Sequence, residues 1–334
     1  MIVWLELLVC LVVIGWAGYR LSLYGDMIAE KLGWSRSWMG VAMVASVTSL
    51  PELVTGVSAV SLAQAPDIAA GDVFGSCAFN LLLIVIIDFL HQQESVYTRA
   101  RVGHTLSAGF GVILIGFVAM NLLMPAQGAL PAIGHVGLYT PIILLVYALA
   151  MRTLYRYEQM QDLPTAEVAP PRYQQTTLTQ AVRGYALAAA LVVAAGLWLP
   201  FVGRAIAQAM GWGESFVGTL LVAAVTSLPE AVVALAALRL GALDMALGNL
   251  FGSNLFNMVV LAVDDLFYRP GPLLAAVSPA HAVSALSAMV MSGIAIVGLF
   301  YRPRQRVLRT VGWTSLLLLA VYLFNTFSIY LYGQ

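Results

Sequence analysis

Long apolar runs alternate with short polar breaks along nearly the whole chain. They fall near residues 3–24, 38–62, 68–90, 102–124, 133–151, 184–202, 215–238, 245–267, 277–301 and 311–332. A helix needs about 20 mostly apolar residues to cross the hydrocarbon core, so the pattern predicts ten membrane-spanning helices. Several runs carry acids and prolines in their middle, which sets those helices against protein rather than lipid. The first run opens with Met1-Ile2-Val3-Trp4-Leu5-Glu6, and its basic residue, Arg20, lies at the far end. Without a basic leader it reads as a retained helix, not a cleaved signal.

The polar breaks orient these spans. With ten spans, loops after odd-numbered runs share one side and both termini share the other. Of the 16 Lys and Arg residues, all but Arg204 and Arg269 fall on the first side. Positive charge stays in the cytoplasm, so both termini are expected outside. The longest polar stretch, about 152–183, holds Pro164, Pro170 and Pro171 and reads as a linker. The expected organisation is a five-helix half over 1–157, a cytoplasmic linker over 158–180, and a second half over 181–334. The cluster from Arg302 to Arg309 is expected to anchor at the cytoplasmic face.

Composition removes whole classes of function. Of 334 residues, 61% are hydrophobic and 10% charged, against about 45–50% and about 25% in soluble domains. Mean hydropathy is +0.89. A soluble enzyme is excluded. So is a nucleic-acid binder, because 16 basic and 16 acidic residues cancel and no basic patch remains to meet phosphates. Cys10 and Cys77 lie in apolar stretches and make neither a disulfide framework nor a zinc spacing.

The chain also repeats itself. Val47-Thr48-Ser49-Leu50-Pro51-Glu52 recurs letter for letter as Val225-Thr226-Ser227-Leu228-Pro229-Glu230, an offset of 178 (226 − 48). Gly71-Asp72-Val73-Phe74-Gly75-Ser76-Cys77-Ala78-Phe79-Asn80 is matched by Gly248-Asn249-Leu250-Phe251-Gly252-Ser253-Asn254-Leu255-Phe256-Asn257, an offset of 177 (253 − 76). Asp67 pairs with Asp244, Asp88 with Asp265, Gly33-Trp34 with Gly211-Trp212, and Gly40 with Gly218. Each half holds five spans, an odd number, so the second half enters the membrane from the opposite side. The expected fold is therefore an all-α polytopic membrane protein with ten transmembrane helices in two inverted-topology five-helix repeats. Secondary transporters use this architecture, with the site near the midplane where the repeats meet.

The repeated residues supply hard oxygen ligands. Glu52 and Glu230 lie near mid-span, where a carboxylate costs about 2.5–3.5 kcal/mol on insertion scales. Pro51 and Pro229 cannot donate to the carbonyls of Val47 and Val225, which frees those oxygens beside Thr48, Ser49, Thr226 and Ser227. Asp72, Ser76 and Asn80 are spaced by four and share one helix face, as do Asn249, Ser253 and Asn257. Gly71, Gly75, Gly248 and Gly252 allow close helix approach. Cys, His and Met do not cluster at metal-ligand spacing, so the set suits Na⁺, Ca²⁺ or Mg²⁺ rather than copper or zinc. At about 6 Å and an effective dielectric near 20, two empty carboxylates repel by about 3 kcal/mol. A carrier with that vacancy resists crossing unloaded, which makes exchange obligatory.

At these residues the sequence resembles the sodium/calcium exchangers of the cation/calcium antiporter superfamily, whose repeats carry a T-S-x-P-E segment followed by G-N-x-x-G-S-N-x-x-N/D. The resemblance spans nearly the whole chain. It implies exchange of Ca²⁺ for Na⁺ by alternating access, no cofactor and no enzymatic activity. Inorganic cations and the bilayer are the implied partners, in a monomer of a prokaryotic inner membrane. It makes Glu52 and Glu230 the central Ca²⁺ ligands, with oxygens from Thr48, Ser49, Thr226 and Ser227. Ser76 and Ser253 become outer Na⁺ ligands, the carbonyls of Ala45 and Ala223 backbone ligands, and Asn80 and Asn257 the completion of the cage. Spans 1 and 6 are the implied moving parts. The chain departs from the family at Asp72, usually Asn, at Cys77, and in keeping amides at both Asn80 and Asn257. Asp72 either handles a proton or attracts cations at the mouth of the site.

Other polar residues read more plainly. Asp88 and Asp265 are expected as interfacial helix-end acids, Asp67 and Asp244 as N-caps, and His91, His104, His135 and His281 as interfacial or structural. Two alternatives to Na⁺-driven exchange stay open on the residues: a proton-coupled exchanger of Ca²⁺ or another divalent cation on the same fold, and a cation channel with the two glutamates as its selectivity element.

Overall fold

A computed structural model describes residues 1–32, 45–91, 94–101, 103–124, 130–161, 175–303, 306–307 and 311–333. The helices that position the site are α1 (Ile2–Lys31), α2 (Leu50–Ser61), α3 (Pro66–Leu90), α4 (Gly103–Leu123), α5 (Tyr139–Gln161) and α6 (Leu178–Met210). They are followed by α7 (Glu214–Thr226), α8 (Leu228–Arg239), α9 (Leu243–Phe267), α10 (His281–Tyr301) and α11 (Trp313–Tyr332). Seven of these, α1, α3, α4, α6, α9, α10 and α11, are long and apolar enough to cross a membrane, and α7 with α8 makes an eighth, bent by 45°. The expected second span begins in residues outside those described, as do Gly33, Trp34 and Gly40, most of the 158–180 linker, and Arg304 and Arg309.

Boundaries move where polar residues continue a helix. α1 and α6 have 30 and 33 residues, or about 45 and 50 Å at about 1.5 Å per residue, well beyond a core of about 30 Å. A capping box starts α6: Thr177 N donates to Gln180 Oε1 (2.9 Å), and Gln180 N donates to Thr177 Oγ1 (3.2 Å). Gly211 ends it in the left-handed region at φ 65°. The expected spans 133–151 and 311–332 also begin inside two short hairpins. Ala132–Ile133 pairs antiparallel with Val136–Gly137 before α5, and Arg306–Val307 with Val311–Gly312 before α11.

Repeat-equivalent helices pack on one another: α1 on α6, α3 on α9, and α4 on α10. Close approach explains the glycines. A Cβ on Gly71 would lie 2.8 Å from Thr219 N, one on Gly75 would strike the Thr219 carbonyl, and one on Gly252 would lie 3.0 Å from Ala45 Cβ. Glycine on α3 therefore lets the backbone of α7 lie against it, where α7 carries a π-helical stretch, Gly218–Val222.

Four paired acids tie the bundle, in ways the sequence did not foretell. Asp88 and Asp265 lie two residues from the ends of α3 and α9, as helix-end acids, and both are fully buried in the bundle. Asp88 accepts from Ser95 Oγ (3.1 Å), Val96 N (3.1 Å), Gly312 N (3.1 Å) and Ser315 Oγ (2.8 Å). Asp265 accepts from Gly137 N (2.9 Å), Leu273 N (2.7 Å), and the hydroxyls of Tyr139 and Thr140. Asp67 and Asp244 do not cap their helices, because the N-cap residues are Ala65 and Ala242. Each instead meets a histidine, His281 Nε2 at 3.0 Å from Asp67 and His104 Nε2 at 3.0 Å from Asp244. The structural reading of those two histidines stands, with the partners supplied by distant segments. His91 Nδ1 lies 2.7 Å from the Glu94 carbonyl, and His135 Nε2 lies 3.1 Å from the Leu266 carbonyl.

Candidate functional site

The repeated T-S-L-P-E segment breaks its helix in both copies. Ser49 (φ −85°, ψ 13°) and Ser227 (φ −83°, ψ 9°) stand at the breaks, and Pro51 and Pro229 fall in the first turn of the helix that restarts. Proline is tolerated there because its missing N–H would have had no partner. The expected kink is thus a full restart, and it puts Glu52 and Glu230 in the first turns of α2 and α8. That is the positive end of each helix dipole, where a carboxylate is favoured.

The two breaks serve each other. Ser49 Oγ donates to Glu230 Oε1 (3.0 Å), and Ser227 Oγ donates to Glu52 Oε1 (3.1 Å). Ser253 on α9 also donates to Glu230 Oε1 (3.2 Å), while Ser227 Oγ lies 2.9 Å from Ser76 Oγ on α3. Thr226 Oγ1 donates to Asp72 Oδ1 (2.7 Å). Its counterpart, Thr48 Oγ1, lies 3.4 Å from Asn249 Oδ1 and 3.5 Å from Ser253 Oγ. Two hydrogen-bonded clusters result, one of Glu52, Ser227, Ser76, Thr226 and Asp72 and one of Glu230, Ser49, Ser253 and Thr48, and the two T-S-L-P-E backbones join them. The carbonyls of Ala45 and Ala223 lie beside these groups and accept from Ser49 N (3.1 Å) and Ser227 N (3.0 Å), with Thr48 Oγ1 3.1 Å from the first and Thr226 Oγ1 3.2 Å from the second.

Asn80 and Asn257 are held through the position at which the repeats differ. Asn80 Nδ2 donates to Asn254 Oδ1 (3.0 Å), Asn254 Nδ2 donates to the Cys77 carbonyl (3.1 Å), and Asn257 Nδ2 points at Cys77 Sγ (3.7 Å). Asn254 is a positioning residue that sequence reasoning noted only as a mismatch with Cys77. Both thiols, Cys10 and Cys77, are buried and free.

Oxygens without donors decide what the arrangement can do. Among the described residues Glu52 Oε2, Glu230 Oε2, Asp72 Oδ2, Asn80 Oδ1 and Asn257 Oδ1 are buried and lack a hydrogen-bond partner. An unmet buried polar atom costs about 1–3 kcal/mol, more when charged, and native structures rarely keep one. Five acceptors left over on α2, α3, α8 and α9 call for positive charge. No group of three or more His, Cys, Asp or Glu side chains gathers for a metal among the described residues; the five oxygens are three from carboxylates and two from amides. Mixed carboxylate, amide and hydroxyl oxygens are what a hard cation takes.

Comparisons with known proteins bear on the family and the fold. The sodium/calcium exchanger protein family matches residues 2–151 and 181–330, one match per half. The putative antiporter CaxA of Alkalimonas amylolytica is 28% identical over 332 residues, covering 96% of this chain and 97% of its own. The sodium/calcium exchanger MaX1 of Methanosarcina acetivorans is 28% identical over 271 residues, 72% of this chain and 76% of its own. Among solved structures, an H⁺/Ca²⁺ exchanger, CAX, superposes with a TM-score of 0.72 at 14% identity over 98% of this chain and 81% of its own. The sodium-calcium exchanger NCX_Mj superposes at 0.60 and 22% identity, covering 97% of each chain. At these identities the structures speak for the fold.

Proposed function

The chain belongs to the sodium/calcium exchanger protein family, and from that premise we propose that it exchanges Ca²⁺ for Na⁺ across the membrane by alternating access, binding both at one site between two inverted repeats. The observation that carries this reading is the pair of donorless oxygens, Glu52 Oε2 and Glu230 Oε2, offered from equivalent breaks in the two halves. Glu52 and Glu230 neutralise Ca²⁺ directly. Asn80 and Asn257 turn their free amide oxygens to the same ion, and the Thr48, Ser49, Thr226 and Ser227 oxygens complete its shell. Ser76 and Ser253, each within reach of a break-point hydroxyl of the other half, serve the Na⁺ stroke together with the carbonyls of Ala45 and Ala223. Emptying the site leaves close carboxylates facing each other at a cost of about 3 kcal/mol at about 6 Å, which ties each ion's exit to the other's entry. In this reading the chain sits in a prokaryotic inner membrane with both termini outside, the orientation that the Lys and Arg distribution favours. α1 and α6 are the parts assigned to slide, and the chain acts as a monomer.

The test is Ca²⁺ uptake into proteoliposomes loaded with Na⁺, repeated with K⁺ or choline inside at equal pH. Uptake that requires internal Na⁺ is the expected result. A proton-coupled exchanger is the second reading, favoured by Asp72 standing where the other half has Asn249. It gives uptake driven by an acidic interior without Na⁺. Flux that needs no counter-ion refutes both readings and leaves a channel.

A further inference from the structure

One buried acid takes no part in the site described above. Asp264 on α9 is fully buried, and neither of its carboxylate oxygens has a hydrogen-bond partner. It lies against Gly56 of α2 so closely that a Cβ there would strike the carboxylate. Gly56 comes four residues after Glu52, about 6 Å along α2, and Asp264 comes seven after Asn257, about 10 Å along α9, at about 1.5 Å per residue. Both steps lead away from the cage toward the end of the molecule where Asp265 is knotted.

The repeat shows that the fold does not require an acid there. By the offsets of 178 and 177, Gly56 corresponds to Ala234 (56 + 178) and Asp264 to Ile87 (264 − 177). Both counterparts are buried, so an apolar pair fills the equivalent place in the other half. Among the described residues no side chain donates to Asp264, and its neighbour along α9, Asp265, is another acid. Asp265 is saturated by its four donors. The titratable group of α2 is Glu52, and α5 begins at Tyr139, already bound to Asp265, with Tyr147, Arg152, Arg156 and Glu158 two or more turns further along. The titratable groups of α4 and α8 are His104, Glu230 and Arg239; His104 is held at the opposite end of α9 by Asp244, Arg239 ends α8, and Glu230 belongs to the cage. The Thr55 hydroxyl faces Gly196 of α6 instead.

A lone carboxylate in such a place must be neutralised. Ca²⁺ takes six to eight oxygens, and Asp264 offers only two beside glycine backbone and apolar side chains. A proton needs one. We propose that Asp264 is a proton site outside the cation cage. Its carboxyl carries a proton while the seam between α2 and α9 is closed. When α6, which packs on Val54 and Thr55 of α2 beside Gly56, slides and admits water to the seam, the O–H bond breaks, the proton passes to water and the carboxylate remains at the opening. This deepens the antiporter reading, and the test below keeps the two separable.

The experiment compares wild type, Asp264→Asn and Asp264→Glu, purified whole. Infrared difference spectra across a pH titration should show a protonated-carboxyl band in the wild type that Asp264→Asn lacks and Asp264→Glu restores. Removing an unpaired buried acid should leave Asp264→Asn at least as heat-stable as wild type, with Ca²⁺-induced stabilisation intact. In proteoliposomes, the pH dependence of Ca²⁺ exchange should flatten in Asp264→Asn and return in Asp264→Glu. Identical infrared spectra for wild type and Asp264→Asn overturn the proton site. Loss of the band with an unchanged pH profile overturns its link to opening. A wild type that moves no Ca²⁺ under any gradient sinks the antiporter reading, and the infrared arm still decides the proton.

Discussion

Replacing Glu52 by Gln tests the cage most directly. The amide keeps the shape of the side chain and an oxygen to accept from Ser227 Oγ, the 3.1 Å contact that holds Glu52 in place. What disappears is one negative charge beside the donorless Oε2. A unit charge and a dication about 4 Å apart interact by about 8 kcal/mol at an effective dielectric near 20, twice the figure for unit charges. Water and neighbouring oxygens offset much of this. If only a third is lost, about 2.7 kcal/mol, Ca²⁺ affinity falls roughly 100-fold. Ligand-dependent thermal unfolding reads that loss. At Ca²⁺ equal to about 100 times the wild-type Kd, wild type gains about 2.7 kcal/mol of stability and the variant about 0.4 kcal/mol. Without Ca²⁺ the variant should be no less stable, since repulsion from Glu230 and Asp72 is relieved. A Glu52→Gln protein that Ca²⁺ stabilises as much as wild type would remove Glu52 from the site and refute the reasoning.

Three further outcomes are expected. Asp72→Asn keeps the acceptor for Thr226 Oγ1 and copies Asn249 of the other half, so Ca²⁺ affinity in a binding titration should change less than about tenfold, about 1.4 kcal/mol. Gly75→Ala drives a methyl into the Thr219 carbonyl of α7; overpacking costs about 1–3 kcal/mol, which should appear as a lower unfolding temperature and slowed Ca²⁺ exchange. Asp265→Ala strands four buried donors at about 1–3 kcal/mol each, and size-exclusion profiles in detergent should show loss of the folded species while Asp265→Asn retains part of it.

The site was legible because duplication marked it twice. An acid in the middle of an apolar run is conspicuous, and the same acid at the same place in both halves fixes its partner. Thus Glu52, Glu230 and the two polar stripes were found from letters alone. The same logic hid Asp264, whose counterpart is Ile87, and Asn254, whose counterpart is Cys77: residues that work in one half only leave no repeat signal. Asp67 and Asp244 misled for another reason. Acids next to a helix start usually cap it, but each is bound to a histidine 214 or 140 residues away, a distance that local pattern does not carry. Hydropathy predicts ten spans, seven or eight of which have a long apolar helix among the described residues, and it placed their ends badly. It cannot see that α1 and α6 continue as helix past the apolar stretch, nor separate a hairpin from the helix it leads into.

The knots at Asp88 and Asp265 bear on the order in which the chain is made. Leaving the ribosome from the N-terminus, Asp265 finds Gly137, Tyr139 and Thr140 already in the membrane and waits only for Leu273. Asp88 gains Ser95 and Val96 at once, but Gly312 N lies 224 residues downstream. The first half therefore stays unfinished until the second has been made, with the carboxylate at the end of α3 short of its distant donors. The hairpin that leads into α11 supplies them. Because α5 of the first half fastens α9 of the second and the α11 hairpin fastens α3, each half completes the other, and neither is finished before the α11 hairpin has been translated.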